Sequence, residues 1–329
     1  MHDDNAPGPV WLGRDPALLE ARRRLALAAP SDRPVLVLGE TGTGKELAAR
    51  TVHTLSFRAD GALVALNCGA LPDGLVESEL FGAARGAFTG ATGARAGLVE
   101  SAQGGTLFLD EIGDASPLLQ MKLLRLLAER EYRRVGDARV RTSDARIVAA
   151  THRDLAREVG QGRFRADLWY RLAVLEVTLP PLRARGGDVH LLARVFLARE
   201  RPGAAFDRAA HRRLAEYAWP GNVRELAHAV AQAALFGGAE GGTEIGEEAL
   251  PERVRGTPRD GVPMGLAGEL AELEARRIAQ ALEQARGNRA RAARALGLSR
   301  QGLWKKLKRH DPGGGNGMYD REEAWPRRS

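Results

Sequence analysis

Gly39-Glu40-Thr41-Gly42-Thr43-Gly44-Lys45-Glu46 is the stretch that decides how this chain folds. A glycine-rich loop between an apolar run, Val35 to Leu38, and a helical pattern starting near Lys45 lets backbone N–H groups converge on phosphate oxygens, helped by the helix N-terminus. Lys45 then supplies a point charge to the outer phosphates of a nucleoside triphosphate. Glu46 stands where many such loops place a Ser or Thr that ligates magnesium, which leaves that ligand unassigned. Working outward, short apolar runs recur at Leu63 to Leu66, Thr106 to Leu109, Ile147 to Ala150 and Leu175 to Leu179. Amphipathic helical patterns separate them, as at Leu118 to Ala128 with Leu119, Leu123, Leu126 and Leu127 in helical register. The alternation predicts an α/β fold, a mostly parallel sheet covered by helices on both faces. After Pro180-Pro181 the strand pattern stops, and Asp188 to Phe236 reads as all helix, broken near Pro202-Gly203 and Pro220-Gly221, forming a lid beside the nucleotide.

At 329 residues the chain is long enough for two or three folding units. Its formal charge is +7, but nine Arg or Lys and no acid lie between Arg286 and Arg309, so the basic excess lives in one short segment. A concentrated positive patch is the footprint of a nucleic-acid-binding element. Cys68 is the single cysteine, which excludes an internal disulfide and a Cys-rich metal cage and fits a reducing cytosol; a small buried side chain is its expected role. Residues 1 to 10 carry no signal-peptide core, and no apolar run reaches bilayer length, so no membrane partner is expected and the location implied is cytoplasmic. The linear sequence shows no His, Cys and carboxylate cluster with metal-ligand spacing, and zinc is not expected.

Two further motifs carry chemistry. Asp110 and Glu111 follow the apolar run of Gly105-Thr-Leu-Phe-Leu-Asp-Glu-Ile112, which puts two carboxylates at a strand end facing the phosphate loop. Asp110 is placed to organise magnesium and Glu111 to polarise the attacking water. Gly86-Ala87-Phe88-Thr89-Gly90-Ala91 frames one aromatic residue with two glycines, a tight loop whose phenylalanine faces a partner. Together these motifs closely resemble the AAA+ domain of bacterial sigma-54-dependent transcriptional activators, the enhancer-binding proteins, over roughly Val10 to Pro251.

The resemblance implies an ATPase using ATP and Mg2+. It implies that Gly86 to Ala91 contacts sigma-54, flanked by a second loop around Arg133 to Asp144. Asn67 matches the position that restrains the catalytic glutamate, and Thr151-His152 sits where the family's first sensor usually reads Thr-Asn. Arg165 and Arg171, in Phe164-Arg-Ala-Asp-Leu-Trp-Tyr-Arg171, match two arginines that reach a neighbouring subunit's γ-phosphate, and Arg224 in Trp-Pro-Gly-Asn-Val-Arg-Glu-Leu matches the lid arginine that senses nucleotide in its own subunit. A site completed in trans requires a homo-oligomer, and family members act as hexamers. The partners implied are sigma-54 with RNA polymerase, and upstream double-stranded DNA.

Asn288 to Lys308 resembles the Fis-type helix-turn-helix that ends most of these activators. Ser299 is placed to cap the recognition helix, with Leu303 and Leu307 facing its core. Arg300, Gln301 and Lys305 are then positioned for base edges, and Arg289, Arg291, Lys306, Lys308 and Arg309 for phosphates. The expected boundaries are a disordered segment at 1–10, the α/β nucleotide-binding subdomain at 11–182, the lid at 183–250, a linker at 251–266, the helix-turn-helix at 267–310 and a disordered tail at 311–329. The AAA+ pattern starts almost at the N-terminus with Val10-Trp-Leu-Gly-Arg-Asp, so control is expected from expression level or a separate inhibitor protein, or an N-terminal regulatory domain is missing from this version. Two competing readings are a DNA-binding repressor with an inert AAA+ domain and a general AAA+ remodeller such as a helicase loader. The first is disfavoured by the retained Lys45, Glu111 and Phe88-Thr89, and the second has no use for Gly86 to Ala91.

Overall fold

Asp15 starts the first helix, α1 (Pro16–Ala28), by accepting the Ala17 N–H, with proline at the first helical position where its missing donor costs nothing. Then come β1 (Val35–Leu38), α2 (Lys45–Thr54), β2 (Leu63–Asn67), α3 (Asp73–Phe81), α4 (Leu98–Ser101), β3 (Thr106–Asp110) and α5 (Pro117–Glu129). A short antiparallel hairpin, β4 (Glu131–Tyr132) with β5 (Arg141–Thr142), precedes β6 (Arg146–Thr151), α6 (Leu155–Gly160), α7 (Ala166–Leu172) and β7 (Leu175–Thr178). In this computed structural model the described residues are 11–70, 72–85, 93–237 and 243–256, with 291, 293 and 296 besides. The chain divides into two units, Met1–Asp260 and Gly261–Ser329.

The main sheet runs β2-β3-β6-β1-β7 with every pair parallel. Its strands alternate between two cores, as pleating demands. Leu36, Leu107, Leu109, Ile147 and Ala149 join α3, α5 and α7 residues on one face. Val35, Val37, Phe108, Val148 and Ala150 join α1 and α2 residues on the other. Burial on both faces is why these strands read as unbroken apolar runs. The α/β fold expected from the sequence is the fold found.

The lid contains α8 (Asp188–Glu200), β8 (Ala205–Phe206), α9 (Arg208–Glu216), α10 (Asn222–Phe236), β9 (Glu244–Ile245) and α11 (Glu252–Gly256) around its own core. Trp219 anchors that core, fully buried with its Nε1–H donating to the Leu214 carbonyl at 2.9 Å. Two expectations change here. Strands do not end at Pro180-Pro181, because Ala205–Phe206 pairs in parallel with Glu244–Ile245. Such two-residue pairings are too short for a periodic signal. Residues 252–256, expected to lie in the linker, form α11, which seats Val254 in the lid core.

Around the motif at residues 86–91 the structure describes a neck. Ala83 and Arg95 exchange both backbone hydrogen bonds, at 3.0 and 2.9 Å. Val135, from the loop between β4 and β5, adds a third rung by donating to the Gly82 carbonyl and accepting the Ala84 N–H, both at 2.9 Å. Arg134 clamps Glu100 with two hydrogen bonds of 2.8 and 2.7 Å beneath it. Residues 86–92 themselves lie outside the described residues, as do the expected disordered ends at 1–10 and 311–329 and the DNA-contact residues Arg289, Ser299, Arg300, Gln301, Lys305, Lys306, Lys308 and Arg309. In the second unit Arg291 and Ala293 are helical, Arg291 exposed and Ala293 buried. Among the described residues no helix is long and apolar enough to cross a membrane.

The neck closes only because Gly97 lacks a side chain: a Cβ there would overlap the backbone of Phe81 and Gly82. Gly97→Ala is expected to pry the two arms apart and lower unfolding free energy by about 1–3 kcal/mol, the usual cost of overpacking. Urea titration of both proteins checks this, and equal midpoints would contradict the close approach.

Candidate active site

Parallel pairing brings the carboxyl ends of β1, β2, β3 and β6 to one edge, the edge where open α/β sheets bind ligands. The phosphate loop leaves β1 and turns into α2 at Lys45. Asp110 ends β3 beside Asn67 of β2, and Thr151 ends β6 beside Leu38 of β1. The edge opens into a cleft of about 690 Å³ lined by residues 41–46, Asn67, Asp110, Glu111 and, from the lid, Arg224.

Lys45 is 6% exposed, and its ammonium donates to the Gly39 carbonyl at 3.0 Å and to Glu111 Oε1 at 3.2 Å. Buried away from water, the charge needs these partners. The amides of Thr41, Gly42 and Gly44 donate to no protein acceptor among the described residues, which leaves them available to an anion. Thr43 is tied within the loop, its hydroxyl donating to the Glu40 carbonyl at 2.7 Å.

Glu111 is gripped from two sides. Its Oε2 accepts from His152 Nδ1 at 2.7 Å and from the His152 backbone N–H at 3.2 Å, opposite Lys45 on Oε1. Its backbone sits in the left-handed region at φ 49°, an uncommon conformation for a residue with a side chain. Burial works to raise the Glu111 carboxyl, but the hydrogen bond from His152 and the Lys45 charge outweigh it and hold the group below the usual carboxylate range. Asp110 moves the other way, raised by burial and then by the adjacent Glu111 charge against the pull of Lys45. Two neighbouring acids thus differ in their readiness to carry charge, as acid–base sites require. Asp110 offers an oxygen donor of the kind hard divalent cations prefer.

The other expected site residues divide. Thr151 is buried and its Oγ1 accepts the Arg153 N–H at 3.0 Å, so its hydroxyl shapes the turn that presents His152. Glu46 is exposed and pairs with Arg50 at 2.8 Å, one helical turn on. Asn67 lines the cleft with its Oδ1 accepting the Gly69 N–H at 2.9 Å, and among the described residues the hydrogen bonds to the Glu111 carboxylate come from His152 and Lys45. Arg165 pairs with Asp167 of its own chain at 2.7 Å, and Arg171 is exposed; neither lines the cleft. Arg224 lines it, exposed and without an ion-pair partner among the described residues. Cys68 is buried, with burial foremost in pushing its thiol up to about 12, which fits a structural rather than a reactive role.

The fold also gathers what linear spacing concealed. Ligand atoms of Glu111, Asp114 and His152 lie within 4.8 Å of one another, a His–carboxylate group absent from the sequence pattern. Lys45 and Arg153 already occupy its two carboxylates. Sequence reasoning missed the apolar wall of the cleft, Trp11, Leu12, Leu192 and Phe196, although Trp11 lies in the recognised opening segment. It also missed Arg183, Arg185 and Asn222, whose partners lie about 140 residues or more away.

Comparison with known proteins agrees with this geometry. Residues 11–178 match the Sigma-54 interaction domain, 183–263 an AAA+ ATPase lid domain and 269–310 the bacterial regulatory protein Fis family. The transcriptional regulatory protein ZraR of Klebsiella oxytoca is 50% identical over 305 residues, covering 91% of this chain and 68% of that protein. The hydrogenase transcriptional regulatory protein HoxA of Bradyrhizobium diazoefficiens is 47% identical over 307 residues, covering 90% and 62%. Among solved structures, NtrX from Brucella abortus in complex with ATP superposes with a TM-score of 0.68 at 30% identity, covering 91% of this chain and 68% of that one. With a phosphate loop, a carboxylate pair, a lid over the cleft and these matches in one chain, it belongs to the sigma-54-dependent transcriptional activators, built from an AAA+ domain, its lid and a Fis-type helix-turn-helix.

Proposed function

We propose that this protein hydrolyses ATP in an oligomeric ring and uses the energy to remodel a closed complex of sigma-54 RNA polymerase, so that promoter DNA opens. The observation that carries this reading is the convergence of Lys45, Asp110 and Glu111 on one cleft, with loop amides left for phosphate oxygens. Magnesium would be held through Asp110 and would neutralise phosphate charge as it builds up. Lys45 binds the outer phosphates and in doing so lets go of Glu111. Glu111, released from Lys45 and turned by His152, orients the attacking water and takes its proton. Arg224 adds positive charge from the lid.

Arg165 and Arg171 stand outside the chain's own cleft, which supports their use by a neighbouring protomer and hence a ring, a hexamer by family analogy. The chain that leaves Glu111 continues through α5 to the β4–β5 hairpin, whose Val135 is bonded to the neck of the Phe88 loop. That continuity gives a route by which a change at the nucleotide reaches the segment we assign to sigma-54, Gly86 to Ala91. The basic Fis-type region would tether the ring to upstream DNA in the cytoplasm, with Arg300, Gln301 and Lys305 reading bases and Arg289, Arg291, Lys306, Lys308 and Arg309 holding phosphates. A separate inhibitor protein is one route by which such a motor would be restrained.

Glu111→Ala is expected to retain ATP binding while turnover drops by about a hundredfold or more, the usual worth of a general base. Steady-state phosphate release with a parallel binding titration measures both, and unimpaired turnover would remove Glu111 from the mechanism. Thr89→Ala is expected to hydrolyse ATP at a normal rate yet yield no open complex with sigma-54 RNA polymerase, read by permanganate reactivity of unpaired thymines. Open complexes at the wild-type level would refute the role given to the loop, and a wild-type protein that hydrolyses ATP without any promoter opening would favour a general remodeller.

A further inference from the structure

The lid does more than cover the phosphate loop: it holds it by consecutive backbone groups. Asn222, the first residue of α10, is fully buried, and its carboxamide is spent in both directions. Its Oδ1 accepts the Leu182 N–H at 2.7 Å, while Nδ2 donates to the Thr41 carbonyl at 3.0 Å and to Glu40 Oε2 at 3.2 Å. The next amide, Val223 N–H, donates to the Gly42 carbonyl at 3.0 Å. Arg185, 2% exposed, donates from Nη2 to the Thr43 carbonyl at 3.0 Å. Arg183 completes the set with a two-pronged pair to the Glu40 carboxylate, Nη1 to Oε2 at 2.6 Å.

Three successive loop carbonyls, Thr41 to Thr43, are therefore turned outward onto lid-side donors. A peptide unit that points its carbonyl one way points its N–H the other. Seating the N-terminus of α10 thus helps set which way the loop amides face. The contact is close: Gly42 adopts φ +79°, and a Cβ there would overlap the Gly221 carbonyl. Asn222 itself sits at φ 52°, in the left-handed region that asparagine tolerates better than most residues. Aspartate would lack the donors and face Glu40 with a second negative charge. The side chain, backbone and partners all ask for asparagine or a near substitute.

We propose that Asn222 is a positioning residue that latches the phosphate loop to the lid, so that the loop presents its amides to a triphosphate only while α10 is seated on it. The proposal rests on the nucleotide-binding reading above and adds that loop shape and lid position are one mechanical variable. A lid displaced by a neighbouring protomer would then loosen its grip on phosphate, and phosphate in the loop would seat the lid.

Equilibrium binding of fluorescent ATP and ADP analogues to the full chain tests the latch separately from catalysis. Asn222→Gly keeps the left-handed backbone and removes only the carboxamide; it is expected to weaken both nucleotides about tenfold, as loss of hydrogen bonds to a charged group and a loop carbonyl predicts. Arg183→Gln, on the exposed side of the latch, is expected to weaken binding less and leave the urea midpoint unchanged. In hydrogen exchange, nucleotide should slow the peptide spanning residues 222–226 in the wild type and not in Asn222→Gly. A double cycle of Glu40→Gln with Asn222→Gly should be non-additive in nucleotide affinity. Wild-type affinity in Asn222→Gly, or strict additivity in the cycle, overturns the latch while leaving the ATPase reading intact. A wild-type chain that binds neither nucleotide overturns that reading, and the latch falls with it.

Discussion

Parallel hydrogen bonding between β1, β6 and β3 is the constraint from which the rest of the molecule follows. Parallel strands all end on the same edge, so one register fixes Leu38 beside Thr151 and Leu109 beside Ala149. The loops that leave those ends have no choice but to share a cleft. That is how a lysine at position 45, a glutamate at 111 and a histidine at 152 come within hydrogen-bond reach. The apolar runs that zip the sheet are therefore as much a part of the site as the polar residues at their ends.

Within the cleft, charge is balanced by contact rather than by solvent. Lys45 is almost fully buried and leans on Glu111, which leans in turn on His152. Lys45 has a partner that a triphosphate can replace, because phosphate oxygens satisfy its ammonium better than one carboxylate does. In the proposed mechanism, the glutamate is therefore held at rest by the cation that the phosphates would claim. Asn67 lines the same cleft and braces its own turn through the Gly69 N–H.

Two mechanical connections leave the cleft in opposite directions. One goes to the lid through Asn222, Val223, Arg183 and Arg185. The other goes along α5 to the β4–β5 hairpin and the neck that carries residues 86–92. Both are built from backbone hydrogen bonds and ion pairs between packed elements, which slide or hold but do not stretch. The neck, in particular, joins three segments at Ala83, Arg95 and Val135 by backbone hydrogen bonds, so the hairpin and the loop base are tied to each other.

What the chain announces in one dimension is whatever depends on neighbours in sequence. The central strands β1, β3 and β6 were legible because double-sided burial leaves continuous apolar runs, and the phosphate loop because its glycines, lysine and following helix are local requirements. The Asp110-Glu111 pair was legible for the same reason. Tertiary structure alone decided who restrains Glu111, that Asp114 joins it and His152, and that Arg183 answers Glu40 across the fold. It also decided the tiny β8–β9 pairing and the extension of the lid through Val254, where two or five residues are too few to carry a period. The physical reason is common to all of these: side-chain hydrogen bonds and short pairings obey distance in space, and only after the sheet has chosen its register does that distance exist.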